Sequence, residues 1–288
     1  ESAEITRHAV ALARQKLGDE HPLTLDARYY QATDLFREGR YIEAASILED
    51  VWTTQCRVAG ESHERTAQTL AALGYAWFKL GRYADAEAHL RQSMDIHRQN
   101  PTGSRMNLMW SLRQLAGTLS GQGKFDQARP FAEELLELRR QDAEKPDADA
   151  HALNSYAWEL LTVGSQDLRD PAGALKFALL GAERSADSYH YNRYTIALAY
   201  ESLGQLHMGL EYARRALAHT PLANSSERED YEAAFVRMLE HAGDPVAAEE
   251  VYRDTLIARR ELFSHDHPDV AAGLFNLGHL LTEHGKHA

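Results

Sequence analysis

Apolar residues recur at three- and four-residue spacing along most of the chain. Leu73, Trp77 and Leu80 form one such stripe, and Ala86, Leu90 and others continue the pattern after a short polar break. This spacing places the apolar side chains on one face of an amphipathic helix. No stretch alternates apolar and polar residues with period two, so the pattern predicts helices throughout and no strands.

Glycine-containing turns interrupt these helices at a fixed interval. Gly39, Gly81 and Gly123 lie 42 residues apart, and a small residue follows five positions after each. Glycine ends a helix because it adopts positive φ at no steric cost, and a small residue allows the next helix backbone to approach closely. We therefore expect a repeat of antiparallel helix pairs. The later turn glycines are Gly204, Gly243 and Gly285, and the small residues are Ala44, Ala86, Ala128, Ala174, Gly209 and Ala248.

A short linker also recurs, as LGDEHP at 17–22, AGESHE at 59–64 and FSHDHP at 263–268. Its histidines are interpreted as helix caps. Together with the turns, it resembles the tetratricopeptide repeat (TPR), and the 42-residue version with this linker is similar to the kinesin-light-chain type. The resemblance implies an all-α fold, a right-handed superhelical solenoid of antiparallel helix pairs with about six and a half repeats.

The resemblance divides residues 1–288 into a single array. Residues 1–17 are expected to be the second helix of a preceding repeat, and 268–288 the first helix of a truncated one, as in a piece of a longer protein. Pro130 is expected in the first turn of its helix, where a missing N–H costs little. The complete repeats are predicted near 24–58, 66–100, 105–142, 148–187, 189–221 and 227–262.

Composition restricts the function. The formal net charge of −12 opposes non-specific binding to nucleic acid. The single cysteine, Cys56, excludes an internal disulfide and a cysteine-rich zinc module, and it favours a reducing, cytoplasmic compartment. No apolar run approaches the length of a membrane span.

No catalytic motif is present. The sequence has no phosphate-binding glycine loop and no Gly-x-Ser-x-Gly elbow, and Ala67 occupies the place where a His-Glu-x-x-His motif beginning at His63 needs its second histidine. His265, Asp266 and His267 have metal-ligand chemistry, but the recurring linker accounts for them. We therefore expect no metal, no cofactor and no enzymatic activity in this chain.

In the TPR family, the first helix of each pair lines a concave groove. The predicted groove residues are mainly tyrosine, tryptophan and arginine, the types that dominate binding hot spots. About half are expected to pack within or between repeats instead, and Arg237 has the alternative of pairing with Glu201 or Glu240. The set is Tyr29, Tyr75, Trp110, Arg113, Asn154, Trp158, Tyr191, Tyr194, Arg237, Phe275, Asn276 and His279.

The resemblance implies a scaffold that binds an extended peptide or a helix of a protein partner in this groove. Arg113 and Arg237, in an acidic chain, favour a partner with an anionic group. Tyr29 and Thr33 stand where carboxylate-clamp members have lysine and asparagine, which argues against that specific kind of partner. The alternative function is a regulatory or substrate-recruiting segment of a larger signalling enzyme, such as a bacterial serine/threonine kinase.

Overall fold

The computed structural model describes residues 2–100, 105–185, 190–222 and 225–285. Within these ranges the chain forms fourteen α-helices, one short 3-10 helix at Gln166–Leu168 and no strand, which confirms the all-α prediction. The helices are α1 (Ser2–Leu17), α2 (Pro22–Arg37), α3 (Tyr41–Ala59), α4 (Glu64–Lys79), α5 (Tyr83–Gln99), α6 (Arg105–Gly121), α7 (Phe125–Ala143), α8 (Ala150–Thr162), α9 (Pro171–Arg184), α10 (His190–Ser202), α11 (Leu206–His219), α12 (Ser225–His241), α13 (Pro245–Leu262) and α14 (Pro268–Glu283).

The glycine turns join helices as the sequence predicted. Gly81 has a φ of 73°, and the N–H of Arg82 donates to the carbonyl of Trp77 across a distance of 2.9 Å. This bond satisfies a carbonyl at the end of α4 that would otherwise lack a helical partner. The other five predicted turn glycines also have positive φ, so the turn chemistry repeats along the chain.

The small residues after the turns lie where neighbouring helices approach most closely. The side chain of Ala86, at the start of α5, is fully buried. On α4, a Cβ added to Gly74 would lie 3.3 Å from the carbonyl oxygen of Ala86 and 2.6 Å from Cγ of Leu90. The backbones of α4 and α5 therefore leave no room for a larger side chain at this crossing.

The recurring linker ends in a histidine that caps the following helix. The Nδ1 atoms of His21, His63 and His267 accept hydrogen bonds from the backbone N–H two residues ahead, across 3.2, 3.1 and 3.2 Å. Each bond satisfies one of the free N–H groups of a helix N-terminus. The capping role predicted for these histidines is confirmed.

The position of Pro130 in its helix differs from the prediction. Because α7 begins at Phe125, Pro130 is its sixth residue and lies inside the helix rather than in the first turn. The ring occupies the position whose N–H would bond the carbonyl of Asp126, so α7 lacks one internal hydrogen bond.

The helices group into two compact units. The first comprises the chain up to Leu138 together with Val163–Leu168, and the second comprises Arg139–Thr162 together with the chain from Arg169 onward. The division into a single array of repeats stays a prediction, and its boundaries at 187, 189 and 286–288 lie outside the described residues. In the first unit, the core is built from the apolar faces of α2 to α7, with Leu73, Leu90 and Leu112 fully buried.

The second unit has an apolar core crossed by a buried ionic network. Arg259 on α13 is fully buried, and its Nη2 lies 3.3 Å from Oε2 of the equally buried Glu232 on α12. Oε1 of Glu232 also accepts from Nε of Arg228 across 2.7 Å and from the hydroxyl of Thr255 across 3.1 Å. These bonds join α12 to α13 and supply the partners that buried charges require.

Candidate functional site

In the first unit, the predicted groove residues lie on α2, α4 and α6, the first helices of their pairs. Tyr29, Tyr75, Trp110 and Arg113 are all partly buried. The ring centroids of Tyr75 and Trp110 are 5.9 Å apart, and Phe36 meets Tyr75 edge-on at 5.2 Å. Successive helix pairs therefore place aromatic rings side by side, with part of each ring still accessible.

A pocket of about 180 Å³ opens between these helices. Two of the predicted groove residues, Tyr29 and Trp110, form part of its wall, and polar side chains from α4, α5 and α6 complete it. The lining residues are Tyr29, Gln68, Ala71, His97, Met106, Asn107 and Trp110. This set is called the His97 pocket below.

His97 is the most buried polar residue of this pocket, with 5% of its surface exposed. Among the residues that the structure describes, neither Nδ1 nor Nε2 of its ring has a hydrogen-bond partner. Burial lowers the pKa of His97 from the ordinary value of 6.5, and the Glu64 carboxylate opposes this effect only in part. The imidazole is therefore neutral near pH 7, with one N–H donor and one nitrogen acceptor unused.

In the second unit, an aromatic stack runs across α8, α10 and α12. The ring of Trp158 lies 5.9 Å from that of Tyr194, which in turn stacks on Tyr231 at 4.2 Å. Burial, followed by the nearby Asp230 carboxylate, raises the pKa of Tyr194 to about 12. The phenol is therefore neutral over the whole physiological range.

The remaining predicted residues of the second unit fall into different environments. The Tyr191 hydroxyl donates a hydrogen bond to the Glu227 carboxylate, and Arg237 forms a forked pair with Glu201 across 3.0 and 2.7 Å. The alternative of a pair within the protein is thus what the structure shows for Arg237. On α14, Phe275 and His279 are exposed and Asn276 is partly buried.

Asn154 on α8 differs from these residues because it is almost completely buried, with 8% of its surface exposed. Its Oδ1 atom has no hydrogen-bond partner among the described residues. Some of the predicted residues meet in the structure. These pairs are Tyr75 with Trp110, Tyr29 with Trp110 at the His97 pocket, Trp158 with Tyr194, and Phe275 with His279.

Several residues of these surfaces were missed in the sequence analysis: Tyr231, Gln68, His97 and Asn107. One signal for His97 was present. Gln55, His97 and Arg139 are 42 residues apart and occupy the same repeat position in their second helices. Gln55 and His97 are both buried polar side chains at that position, where packing alone calls for an apolar residue.

In the described ranges, no group of three histidine, cysteine or acidic side chains could hold a metal ion, and this includes the His265–His267 segment. No helix among the described residues is long and apolar enough to cross a membrane. Cys56 is a free, partly buried thiol.

Comparisons with family models identify the repeat. One tetratricopeptide repeat model matches residues 32–99 and 65–141, and a second matches 228–269. Together they cover just over half of the chain. A comparison with curated protein sequences gives no significant match.

Solved structures share the fold at low sequence identity. BtubC (BKLC) from P. vanneervenii is 18% identical with a TM-score of 0.52, over 80% of this chain and 93% of that chain. A Rap protein complexed with competence and sporulation factor is 15% identical with a TM-score of 0.50, over 99% and 86%. Yeast Tom70 is 13% identical with a TM-score of 0.52, over 98% and 59%.

Proposed function

Because the chain belongs to the tetratricopeptide repeat family, we propose that it is a non-catalytic protein-interaction module whose first helices hold an extended peptide or a helix of a partner. The observation that carries this proposal is the row of partly accessible aromatic rings in each unit. Tyr75 and Trp110 form it in the first unit, and Trp158 and Tyr194 form it in the second, where the buried ring of Tyr231 stacks on Tyr194.

Such rings are suited to peptide binding for a physical reason. They are already fixed by their neighbours, so a ligand that covers them removes apolar area from water without ordering flexible side chains. Tyrosine and tryptophan also keep a polar edge that can bond to a peptide backbone. The Rap structure of similar fold, which was solved complexed with competence and sporulation factor, supports the same class of function.

The full proposed contact set remains the twelve residues of the sequence analysis, of which Arg113 and Arg237 would meet an anionic group. The guanidinium of Arg237 already pairs with the Glu201 carboxylate, so a ligand carboxylate would have to displace it. Arg113, partly buried on α6, is proposed for the second ionic contact. The net charge of −12 favours a protein rather than a nucleic acid as the partner.

Selection from a displayed library of random peptides, followed by titration calorimetry, tests this function. Replacing Tyr75, Trp158 or Arg113 by alanine should each weaken the selected peptides by about 1 kcal/mol or more, which is roughly fivefold. Gln92→Ala on α5 and Glu250→Ala on α13 are the controls because both side chains are exposed on second helices. If the control changes weaken binding and the aromatic changes do not, the partner binds elsewhere and the proposal fails.

Two further statements stay predictions. The chain would act in the cytoplasm, in keeping with its single free cysteine. The alternative role, as a regulatory segment of a larger signalling enzyme, would be established by a kinase catalytic loop in the flanking sequence of the full-length protein.

A further inference from the structure

We propose that the aromatic row of the second unit is a subsite for a cationic side chain, arginine or lysine, of the bound peptide. The subsite consists of the rings of Trp158 and Tyr194 with the carboxylate of Asp230 beside them, and it is called the Trp158 subsite below. This inference rests on the proposed function and names the chemistry of one part of the site. The three residues lie on α8, α10 and α12, which all belong to the second unit.

The first argument is that the rings of this subsite are held in place and remain partly accessible. Tyr194 stacks on the buried ring of Tyr231 at 4.2 Å, and Trp158 lies at the other end of the row, 5.9 Å from Tyr194. Both Trp158 and Tyr194 are partly exposed. The face of an aromatic ring attracts a cation that lies within about 6 Å of the ring centroid, and tryptophan does so most strongly.

The second argument is that these rings have no cationic neighbour stacked on them. In the first unit, the Lys79 ammonium lies over the ring of Tyr75, 5.6 Å from its centroid, so that ring already makes such a contact within the protein. Among the described residues, no lysine or arginine lies over the ring of Trp158 or of Tyr194. A cationic side chain of the ligand can therefore take this place.

The third argument concerns the negative charge beside the rings. Burial, followed by the exposed carboxylate of Asp230, raises the pKa of Tyr194, so the field of this carboxylate reaches the ring. One helical turn earlier, the Glu227 carboxylate accepts a hydrogen bond from the hydroxyl of Tyr191. The helix α12 thus presents carboxylates to α10 at two successive turns. Such an arrangement attracts a cation and repels an anion.

The arginines of α10 and α12 are all engaged within the protein. Arg237 forms a forked pair with Glu201, and Arg228 pairs with Glu232 across 2.7 Å. Arg193 has interactions inside the protein and only 6% of its surface is exposed. The second unit also contains the larger part of the excess of acidic over basic side chains. The surroundings of the Trp158 subsite therefore favour a cationic ligand group.

Nuclear magnetic resonance with capped amino acids tests the subsite without a known partner. N-acetyl-arginine methylamide carries the cationic side chain, and its citrulline counterpart has nearly the same shape without the charge. Isotope-labelled tryptophan gives four indole N–H signals, of which Trp158→Phe identifies that of Trp158. The arginine compound should shift this signal saturably, with a dissociation constant in the millimolar range. The citrulline compound and a glutamate counterpart should bind at least about fivefold more weakly.

Two further measurements separate the charge of Asp230 from the shape of the subsite. Asp230→Asn keeps the shape, and it should weaken the arginine compound at least about threefold and leave the citrulline compound unchanged. Asp254→Asn is the matched control because Asp254 is an exposed carboxylate on α13, and it should change neither. Circular dichroism establishes that both variants are folded. In the wild-type protein, added salt should weaken the arginine compound alone, because it screens the attraction to Asp230.

The inference is overturned if the arginine compound gives no saturable shift of the Trp158 signal, if the citrulline or glutamate compound binds equally well, or if Asp230→Asn leaves the arginine affinity unchanged. Failure of the proposed function gives a different result. If selected peptides bind through Tyr75 and Trp158 but show no preference for arginine or lysine, only the subsite is wrong. If the arginine compound binds at Trp158 and no peptide does, the subsite exists but the peptide-binding function is wrong.

Discussion

Replacing Ala86 by leucine tests the packing rule on which every helix pair of this protein depends. Ala86 is fully buried at the point where α5 crosses α4. Even a single Cβ added on the opposite side, at Gly74, would lie 3.3 Å from the Ala86 carbonyl oxygen. Leucine adds three carbon atoms to this crossing, so α5 must move away from α4 or the new side chain must adopt a strained rotamer.

The size of the effect follows from what overpacking costs in a close-packed interior. Such insertions destabilise a protein by about 1–3 kcal/mol. Ala88 lies two residues further along the same helix and is exposed. Ala88→Leu is therefore the matched control, and it should change the free energy of unfolding by less than about 0.5 kcal/mol.

The assay should resolve where stability is lost, because a chain of repeats need not unfold in one step. Urea denaturation followed by circular dichroism measures the total loss. Hydrogen exchange measured by mass spectrometry should show faster exchange in α4 and α5 of Ala86→Leu and no change in α13 and α14. Equal destabilisation by the two substitutions would show that the register of α4 on α5 is wrong.

Three further predictions concern single side chains. Burial raises the pKa of Glu87, but hydrogen bonds from Lys124, Gln122 and Arg91 outweigh it and lower that pKa to about 2, below the ordinary 4.5. The carboxylate therefore stabilises the fold above pH 4.5, and this contribution is lost as pH falls towards 2. Acid titration of Glu87→Gln should lack this loss. The pKa of His97 is lowered by burial, so below pH 6.5 the unfolded chain takes up a proton that the folded chain does not. The free energy of unfolding of the wild-type protein should therefore fall more steeply than that of His97→Gln as the pH is lowered. Urea denaturation between pH 7.5 and 5 measures this difference. His63→Ala should cost about 0.5–2 kcal/mol through loss of the α4 cap, whereas His63→Asn should restore most of it.

The fold could be predicted because its determinants are local. Gly81 ends α4 through its own φ, and His63 caps the same helix through a bond to a residue two positions away. Each such feature requires a particular residue type at one sequence position, and that residue recurs with the repeat. Pro130 was misplaced because the start of α7 depends on the preceding turn, and an error of a few residues there moves a proline from the first turn into the helix interior.

The candidate site was less accessible to sequence reasoning because it is assembled from different repeats. Tyr194 was identified as a groove residue, but its stacking partner Tyr231 lies two helices further along the chain, on α12. No property of either residue alone indicates which rings meet. The partner of Arg237 could not be predicted from the sequence for the same reason. Its charge suggested a contact with a ligand, but it pairs with Glu201 on α10 of the same protein.

Residues that recur at the same position in every repeat cannot by themselves determine which ligand binds, because they have the same packing role in each unit. Ala44, Ala86 and Ala128 are each buried at a helix crossing, and exchanging one for another would change nothing. Buried polar residues at a repeat position have a different meaning. Leucine at position 97 would pack without leaving a donor and an acceptor unused, so packing and stability do not explain a histidine there. The departure from the repeat at position 97, rather than the repeat itself, is therefore what makes this unit differ from its neighbours.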